Sequence, residues 1–338
     1  MPEGLRHLID WHLIEDAIWW DRLEAARRFA RDRRWTDRAR GRSIVLLFFN
    51  PSLRTRTSME LAAVELGAHV SVLTVGQGTW SLEWRDGIRM EGAEAEHIQE
   101  AIGVLSRYYD AIGVRAFASM RDYELDRREV FLGRIVRASR VPIINLESAF
   151  WHPCQALGDA ATLLDLFRGS VQGRRFLLTW AYHPRALPMA VPNSALLMAA
   201  RLGMHVTVAR PEGYALDPDV MALARRYAAE YGTEIRETDR FEEAFDGAEV
   251  VYAKAWGGRL AYTDPQAEAE GRARFQDWRV TEAHMARTRE AFFLHCLPVR
   301  RNVVVDDAVL DGPRARHLLQ AEYRLHAQKA ILEWIWAL

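Results

Sequence analysis

Ser52-Leu53-Arg54-Thr55-Arg56-Thr57 directly follows an apolar run, Ser43–Phe49, and precedes a helix-like segment, Thr57–Gly67. Hydroxyls and arginines at a strand-to-helix turn make an anion site. Free N–H groups and the positive end of the helix dipole face the ligand. Arg54 and Arg56 offer forked donors suited to a phosphate. Thr57 and Glu60 have capping-box spacing, so the helix is expected to start at Thr57. Taken alone, the same residues read equally as an ordinary capped helix with two surface arginines.

Four further clusters carry candidate chemistry. Arg115 follows the strand-like run Ala111–Val114. Glu147 precedes His152-Pro153-Cys154-Gln155, where histidine and glutamine can donate to a carbonyl or phosphate oxygen. Proline there favours a turn into a helix. Lys254 ends Val251-Tyr252-Ala253-Lys254 and suits a substrate carboxylate. His295-Cys296-Leu297-Pro298-Val299-Arg300-Arg301-Asn302 follows a buried-looking strand, and its paired arginines suit carboxylates. Two rival readings use the cysteines. His152, Cys154, His295 and Cys296 as zinc ligands lack the paired spacing of structural sites. A cysteine nucleophile lacks an evident relay with His and Asn. No GxGxxG or GxxxxGK[ST] motif supports a nucleotide enzyme. Jointly the clusters describe an anionic, oxygen-rich substrate.

The elements that must position them alternate. Candidate strands are Ser43–Phe49, His69–Val75, Ala111–Val114 and Val141–Asn145, then Arg175–Trp180, His205–Ala209, Glu249–Ala253 and Ala291–His295. Helical spacing marks Leu8–Arg34, Asn193–Leu202, Asp217–Tyr231 and Glu322–Leu338. The pattern predicts two α/β blocks, each a doubly wound parallel sheet, with ligands at the carboxyl ends of strands in an interdomain cleft. A length of 338 residues suits two domains. The net charge of −1 gives no global attraction to nucleic acid or anionic membrane, so anion recognition must be local. No apolar run approaches the roughly 18–20 residues that span a bilayer. Met1–Asp10 has no secretory pattern, and two cysteines make no disulfide framework, so a cytoplasmic protein is expected. Tryptophans cluster at both ends (Trp11, Trp19, Trp20; Trp334, Trp336), which predicts packed terminal helices.

Together these residues resemble the aspartate and ornithine carbamoyltransferase superfamily. Ser52–Arg56 looks like its carbamoyl-phosphate signature, and His152–Gln155 and His295–Pro298 look like its other two motifs. The resemblance spans essentially the whole chain. It implies a carbamoyl-phosphate-binding domain over 1–150, with the helix 322–338 packing back on it, and an acceptor-binding domain over 151–321. It implies a homotrimer with shared active sites, and no metal or organic cofactor. Ser52, Leu53, Arg54, Thr55, Arg115, His152, Gln155, Cys296, Leu297 and Arg324 would hold carbamoyl phosphate, with Trp80 reaching in from the adjacent subunit. Arg54, Thr55, Arg115 and His152 would polarise the carbonyl and neutralise the leaving phosphate.

The acceptor is read elsewhere. Phe48–Ser52, Trp80 and the Lys254 motif resemble the branch that uses N-acylated ornithine in arginine biosynthesis. There Glu147 would meet the amine end, and His183, Lys254 and Arg300 the carboxylates, with Leu297 alongside. Acetyl enzymes resemble Asp-Gly-Asp-Thr-Glu-Glu-His at the loop matching Glu91–His97, and succinyl enzymes carry proline at the first of those glutamates. This chain has Ala95, small and uncharged like proline. A glutamate would repel a succinyl carboxylate by about 4 kcal/mol at ~4 Å and an effective dielectric near 20. His183–Pro188, Val191–Ser194, Pro211–Tyr214, the step from Glu147 to His152, and Val304 lean the same way. N-succinyl-L-ornithine is therefore the expected acceptor, with N-acetyl-L-ornithine the alternative.

Overall fold

The computed structural model describes residues 5–338; the first four residues of the Met1–Asp10 stretch lie outside it. The chain forms two compact units. One runs up to Leu157 and resumes at Arg324–Leu338; the other is Gly158–Tyr323. The chain passes between them inside two helices, Pro153–Leu166 and His317–Ile335. Among the described residues no helix is long and apolar enough to cross a membrane.

The first unit holds a four-stranded parallel sheet in the order His69–Thr74, Ser43–Phe48, Ala111–Arg115, Ile143–Glu147. Its two inner strands are almost wholly buried, as continuous apolar runs covered on both faces must be. Two helices not singled out from the sequence, Ile98–Tyr108 and Val130–Ala138, bury Ile98, Ile102, Leu132 and Ile135 against Val45, Leu47, Ile112 and Val114. Each such side chain contributes roughly 1.5–3 kcal/mol by leaving water. Gly113 leaves room for its neighbours in this sheet: a Cβ there would lie 2.9 Å from Leu46 Cδ2 and 3.0 Å from Leu146 Cδ1, so those side chains would have to shift.

The second unit holds a five-stranded parallel sheet in the order Phe292–Leu294, Val250–Lys254, Arg175–Trp180, His205–Ala209, Ile235–Thr238. The last strand has exposed polar residues and did not stand out as apolar in the sequence.

Several boundaries differ from the sequence expectation, each for a local reason. Pro142 has no N–H to donate and enters the ladder only through its carbonyl, which accepts from Ile112 N at 2.9 Å, so the strand starts at Ile143; pairing with Arg115 carries it on to Glu147 rather than Asn145. The Asp10 carboxylate accepts from His12 N at 3.1 Å, closing a short 3-10 turn, Trp11–Leu13, so the first α-helix is Asp16–Arg31 rather than a span from Leu8. The last helix starts at His317, not Glu322; its first turn is hidden from the apolar pattern because it buries polar side chains, Gln320 among them. Of the terminal tryptophans, Trp11 lies 5.3 Å from Trp19 and 6.2 Å from Trp334, ring centre to ring centre, and Trp336 is buried, whereas Trp20 is exposed.

Candidate active site

The helix after Ser43–Phe48 begins at Arg54, one turn earlier than the Thr57 capping box predicts. Thr57 is already inside it. Its hydroxyl donates to Leu53 O at 2.8 Å, the back-bonding of a mid-helix threonine rather than a cap. Ser52 takes the capping contact instead, its Oγ accepting from Thr55 N at 3.2 Å. The earlier start puts Arg54 and Thr55 in the first turn, where the dipole favours anions. Thr55 is buried and Arg54 half-buried, whereas Arg56 and Leu53 face solvent. Arg56 therefore does not share Arg54's setting, contrary to the paired-donor expectation.

Thr55 is the hub of the first unit's polar cluster. Its Oγ1 accepts from Arg324 Nη2 at 3.0 Å and lies 3.4 Å from Arg115 Nη1. A hydroxyl that accepts twice still has its proton to donate to a ligand oxygen. Arg324 Nη1 donates to Gln155 Oε1 at 2.6 Å, which fixes the amide's orientation. Arg115 also donates to Glu147 Oε2, and that oxygen lies 3.4 Å from His152 Nε2. Thr55, Arg115, His152, Gln155 and Arg324 are all buried. Burial first, then the charges of Arg324 and Arg115, hold the His152 imidazole well below its ordinary pKa, so it is neutral at pH 7. Cys154 is fully buried with its Sγ 3.5 Å from Asn145 O, and burial pushes its thiol up to about 11. It is a packing residue, not a thiolate.

The Glu147–His152 turn is braced by residues the sequence reading missed. Glu129 Oε1 accepts from Ser148 Oγ at 2.5 Å and Phe150 N at 2.7 Å. Asn145 Nδ2 reaches Ser148 Oγ and Ile9 O, each at 2.8 Å. Burial raises the Glu129 carboxyl to about 7 against these hydrogen bonds. The sequence hides it, because Glu129 directly follows the charged run Asp126-Arg127-Arg128.

Trp80 is exposed, and its Nε1 donates to Glu96 Oε2 at 2.8 Å. Ala95 is exposed on the same loop, where Leu82–Glu83 pairs with Glu96–His97.

In the second unit, His183, Lys254 and Arg300 gather after strand ends. Arg300 Nε donates to His183 Nε2 at 3.0 Å, so that nitrogen is the acceptor, while Nδ1 lies 2.9 Å from Arg185 O and 3.0 Å from Arg185 N. Burial lowers the His183 pKa, the backbone contact with Arg185 opposes it, and the charges of Arg300, Lys254 and Arg272 lower it further. A neutral imidazole beside Arg300 and Lys254 is an anion-binding environment. Lys254 Nζ rests on Ala255 O at 2.9 Å. Arg272 was not foreseen. It is buried, pairs with buried Glu268, and donates to Pro184 O at 3.3 Å, which braces the His183 loop. Cys296 and Leu297 lie in the loop that Gln320 anchors. Gln320 Oε1 accepts from His295 N at 2.9 Å while its Nε2 donates to Asp159 Oδ1 at 2.7 Å. His295 Nδ1 then accepts from Leu297 N at 2.8 Å. Among the described residues no group of three or more His, Cys, Asp and Glu side chains is arranged to hold a metal ion.

Comparison with known proteins matches both units. The carbamoyl-P binding domain of aspartate/ornithine carbamoyltransferase matches residues 6–165, and the Asp/Orn binding domain residues 189–335. N-acetylornithine carbamoyltransferase of Xanthomonas campestris pv. campestris is 42% identical over 335 residues, covering 97% of each chain. N-succinylornithine carbamoyltransferase of Bacteroides thetaiotaomicron is 37% identical over 301 residues, covering 89% of each. The solved acetylornithine transcarbamylase complexed with acetylcitrulline superposes with a TM-score of 0.94 at 41% identity, over 98% of this chain and 99% of that one. A variant of N-acetyl-L-ornithine transcarbamylase with one glutamate replaced by alanine was solved with carbamyl phosphate and N-succinyl-L-norvaline. It superposes with a TM-score of 0.94 at 42% identity, over 98% of this chain and 100% of that one.

Proposed function

As a member of the aspartate/ornithine carbamoyltransferase family, this chain is a carbamoyltransferase, and we propose that it moves the carbamoyl group of carbamoyl phosphate to the δ-amine of an N-acylated ornithine in arginine biosynthesis. The observation that carries the donor half is the Thr55 hydroxyl shared by Arg115 and Arg324 at a helix N-terminus. Ser52, Leu53, Arg54 and Thr55 hold the phosphate. Arg115 and His152 reach both a phosphate oxygen and the carbamoyl oxygen, Gln155 and Arg324 support them, and Cys296 and Leu297 complete the donor's surroundings. The neutral amine attacks the carbamoyl carbon, the tetrahedral intermediate collapses, and the C–O bond to phosphate breaks. Fixed guanidiniums and the neutral His152 N–H stabilise charge that grows on oxygen in that step. Holding donor and amine in line supplies much of the remainder. Trp80 acts on the donor of a neighbouring subunit in a homotrimer. His183, Lys254 and Arg300 take the acceptor carboxylate, and Glu147 the amine end.

N-acetyl-L-ornithine is the acceptor this reading puts first, in place of the succinyl compound expected from the loop motifs. The support is overall similarity, 42% to the acetyl enzyme against 37% to the succinyl enzyme. One observation favours N-succinyl-L-ornithine as a second reading. Ala95 brings no carboxylate to the loop, and a glutamate-to-alanine variant of a relative holds N-succinyl-L-norvaline. The test is phosphate release and ureido product from carbamoyl phosphate with N-acetyl-, N-succinyl- and free L-ornithine side by side. Fastest turnover of the acetyl compound is expected; fastest turnover of the succinyl compound selects the second reading, and turnover of free ornithine alone rejects both.

A further inference from the structure

Glu147 occupies a position that a donor ligand needs. Its backbone is fixed by Asn145 Oδ1 accepting from Glu147 N at 3.0 Å, and by Glu147 O accepting from Ala116 N at 2.9 Å. The side chain is thereby aimed at Arg115 Nη1 and, 3.4 Å away, His152 Nε2. Arg115 Nη1 is the atom that also reaches Thr55 Oγ1. A buried guanidinium without an anion is costly, so a carboxylate there stabilises the free protein. A phosphate group on the same donors would lie against that carboxylate and be repelled by it. The two anions cannot share Arg115 at full strength.

Resting on the donor-site reading above, we propose that Glu147 is an internal counter-ion of the donor site and couples the two binding events. In the free protein its carboxylate takes the Arg115 and His152 contacts. Carbamoyl phosphate displaces it by rotation of the side chain about its fixed backbone. The released carboxylate then receives the amine end of the acceptor. Donor binding thus creates an acceptor contact that did not exist before, and linkage requires the acceptor to strengthen donor binding in return. No bond forms or breaks in this exchange, and the proton stays on the acceptor nitrogen until the transfer step.

The exchange makes the wild-type carboxylate a competitor of the donor, which a purely structural glutamate would not be. Calorimetric titration of the intact protein with carbamoyl phosphate, and separately with inorganic phosphate, reads this directly. Glu147→Gln keeps the shape and removes the charge. It should bind both anions at least about tenfold more tightly than wild type, while the acceptor KM rises and kcat falls. Glu147→Asp keeps the charge on a shorter arm, is the milder change to the fold, and should tighten anion binding by less. Wild-type binding that both variants leave unchanged or weaken overturns this inference and leaves the donor-site reading standing. Failure of wild type and variants alike to bind either anion overturns both.

Discussion

Lys329 Nζ lies 3.0 Å from Glu65 Oε2, and neither side chain has any solvent exposure. Lys329 also donates to Arg34 O at 3.1 Å, and Arg33 donates to Glu65 Oε1 at 2.7 Å. Burial alone would raise the Glu65 carboxyl, but Arg33 and Lys329 outweigh it and pull it below its ordinary value. The pair ties the last helix to the helix that carries Thr55, and Arg324 sits on that last helix five residues before Lys329.

Removing Glu65 leaves the buried Lys329 ammonium without a carboxylate, whereas removing Lys329 leaves Glu65 only the partly exposed Arg33. Glu65→Leu is expected to destabilise the protein by about 3–5 kcal/mol, Lys329→Met by less because Arg33 still pairs with Glu65, and the double change Lys329→Met with Glu65→Leu by less than Glu65→Leu alone. Urea unfolding of the four proteins measures this. Because the Glu65 pKa is depressed in the folded state, its contribution is present above its unfolded pKa and is lost as pH falls through the folded value. Equal destabilisation by Glu65→Leu and by the double variant would remove the ion-pair account.

Thr55→Val removes a hydroxyl that two arginines share and keeps the volume. A drop of about 10–100-fold in kcat/KM for carbamoyl phosphate is expected, with little change in the acceptor KM. Arg324→Lys should cost at least as much, since an ammonium cannot bridge Gln155 and Thr55 with a planar fork. Steady-state kinetics with each substrate varied in turn separates the two effects.

Glu129 makes stability depend on pH. Its folded pKa of about 7 lies above the ordinary 4.5, so the folded state holds a proton that the unfolded chain has already released. Stability from this group is full below the unfolded pKa, falls as pH rises through the folded value, and then levels off. Glu129→Gln keeps an amide oxygen for Ser148 and Phe150 and cannot ionise. The difference in unfolding free energy between wild type and variant should shift by about 1–3 kcal/mol in the variant's favour from pH 4.5 to pH 8. A pH-independent difference would show that Glu129 ionises normally.

Ala95→Glu puts a carboxylate on the exposed loop beside Glu96. The ratio of succinyl- to acetyl-ornithine turnover should fall on the order of tenfold, less than a buried charge would give because water screens it. Folding stability should change by less than about 0.5 kcal/mol at such a surface position. An unchanged ratio, measured by paired kcat/KM values, would show that position 95 does not read the acyl group.

Much of the fold was legible because buried parallel strands are continuous apolar runs. Arg175–Trp180 and His205–Ala209 match the sequence expectation residue for residue. What misled was local chemistry with two uses. Thr57 and Glu60 have the spacing of a cap, yet the helix already starts at Arg54 and Thr57 bonds back into it. The supporting residues Glu129, Arg272 and Gln320 escaped notice because a lone polar side chain in a sequence carries no sign that its partners will be buried with it.

The sequence by itself determined the reactive residue types, their order along the chain, and the strand ends on which they ride, since these depend on apolar periodicity and near-neighbour spacing. Tertiary structure decided which of them meet. Arg324 reaches Thr55 across 269 positions of chain, and Lys329 reaches Glu65 across 264. No local pattern encodes such distances, because they are fixed only when the last helix buries its polar face against the first sheet's helices. The same step made His152 neutral: its ionisation is set by burial and by two guanidiniums brought from elsewhere in the chain.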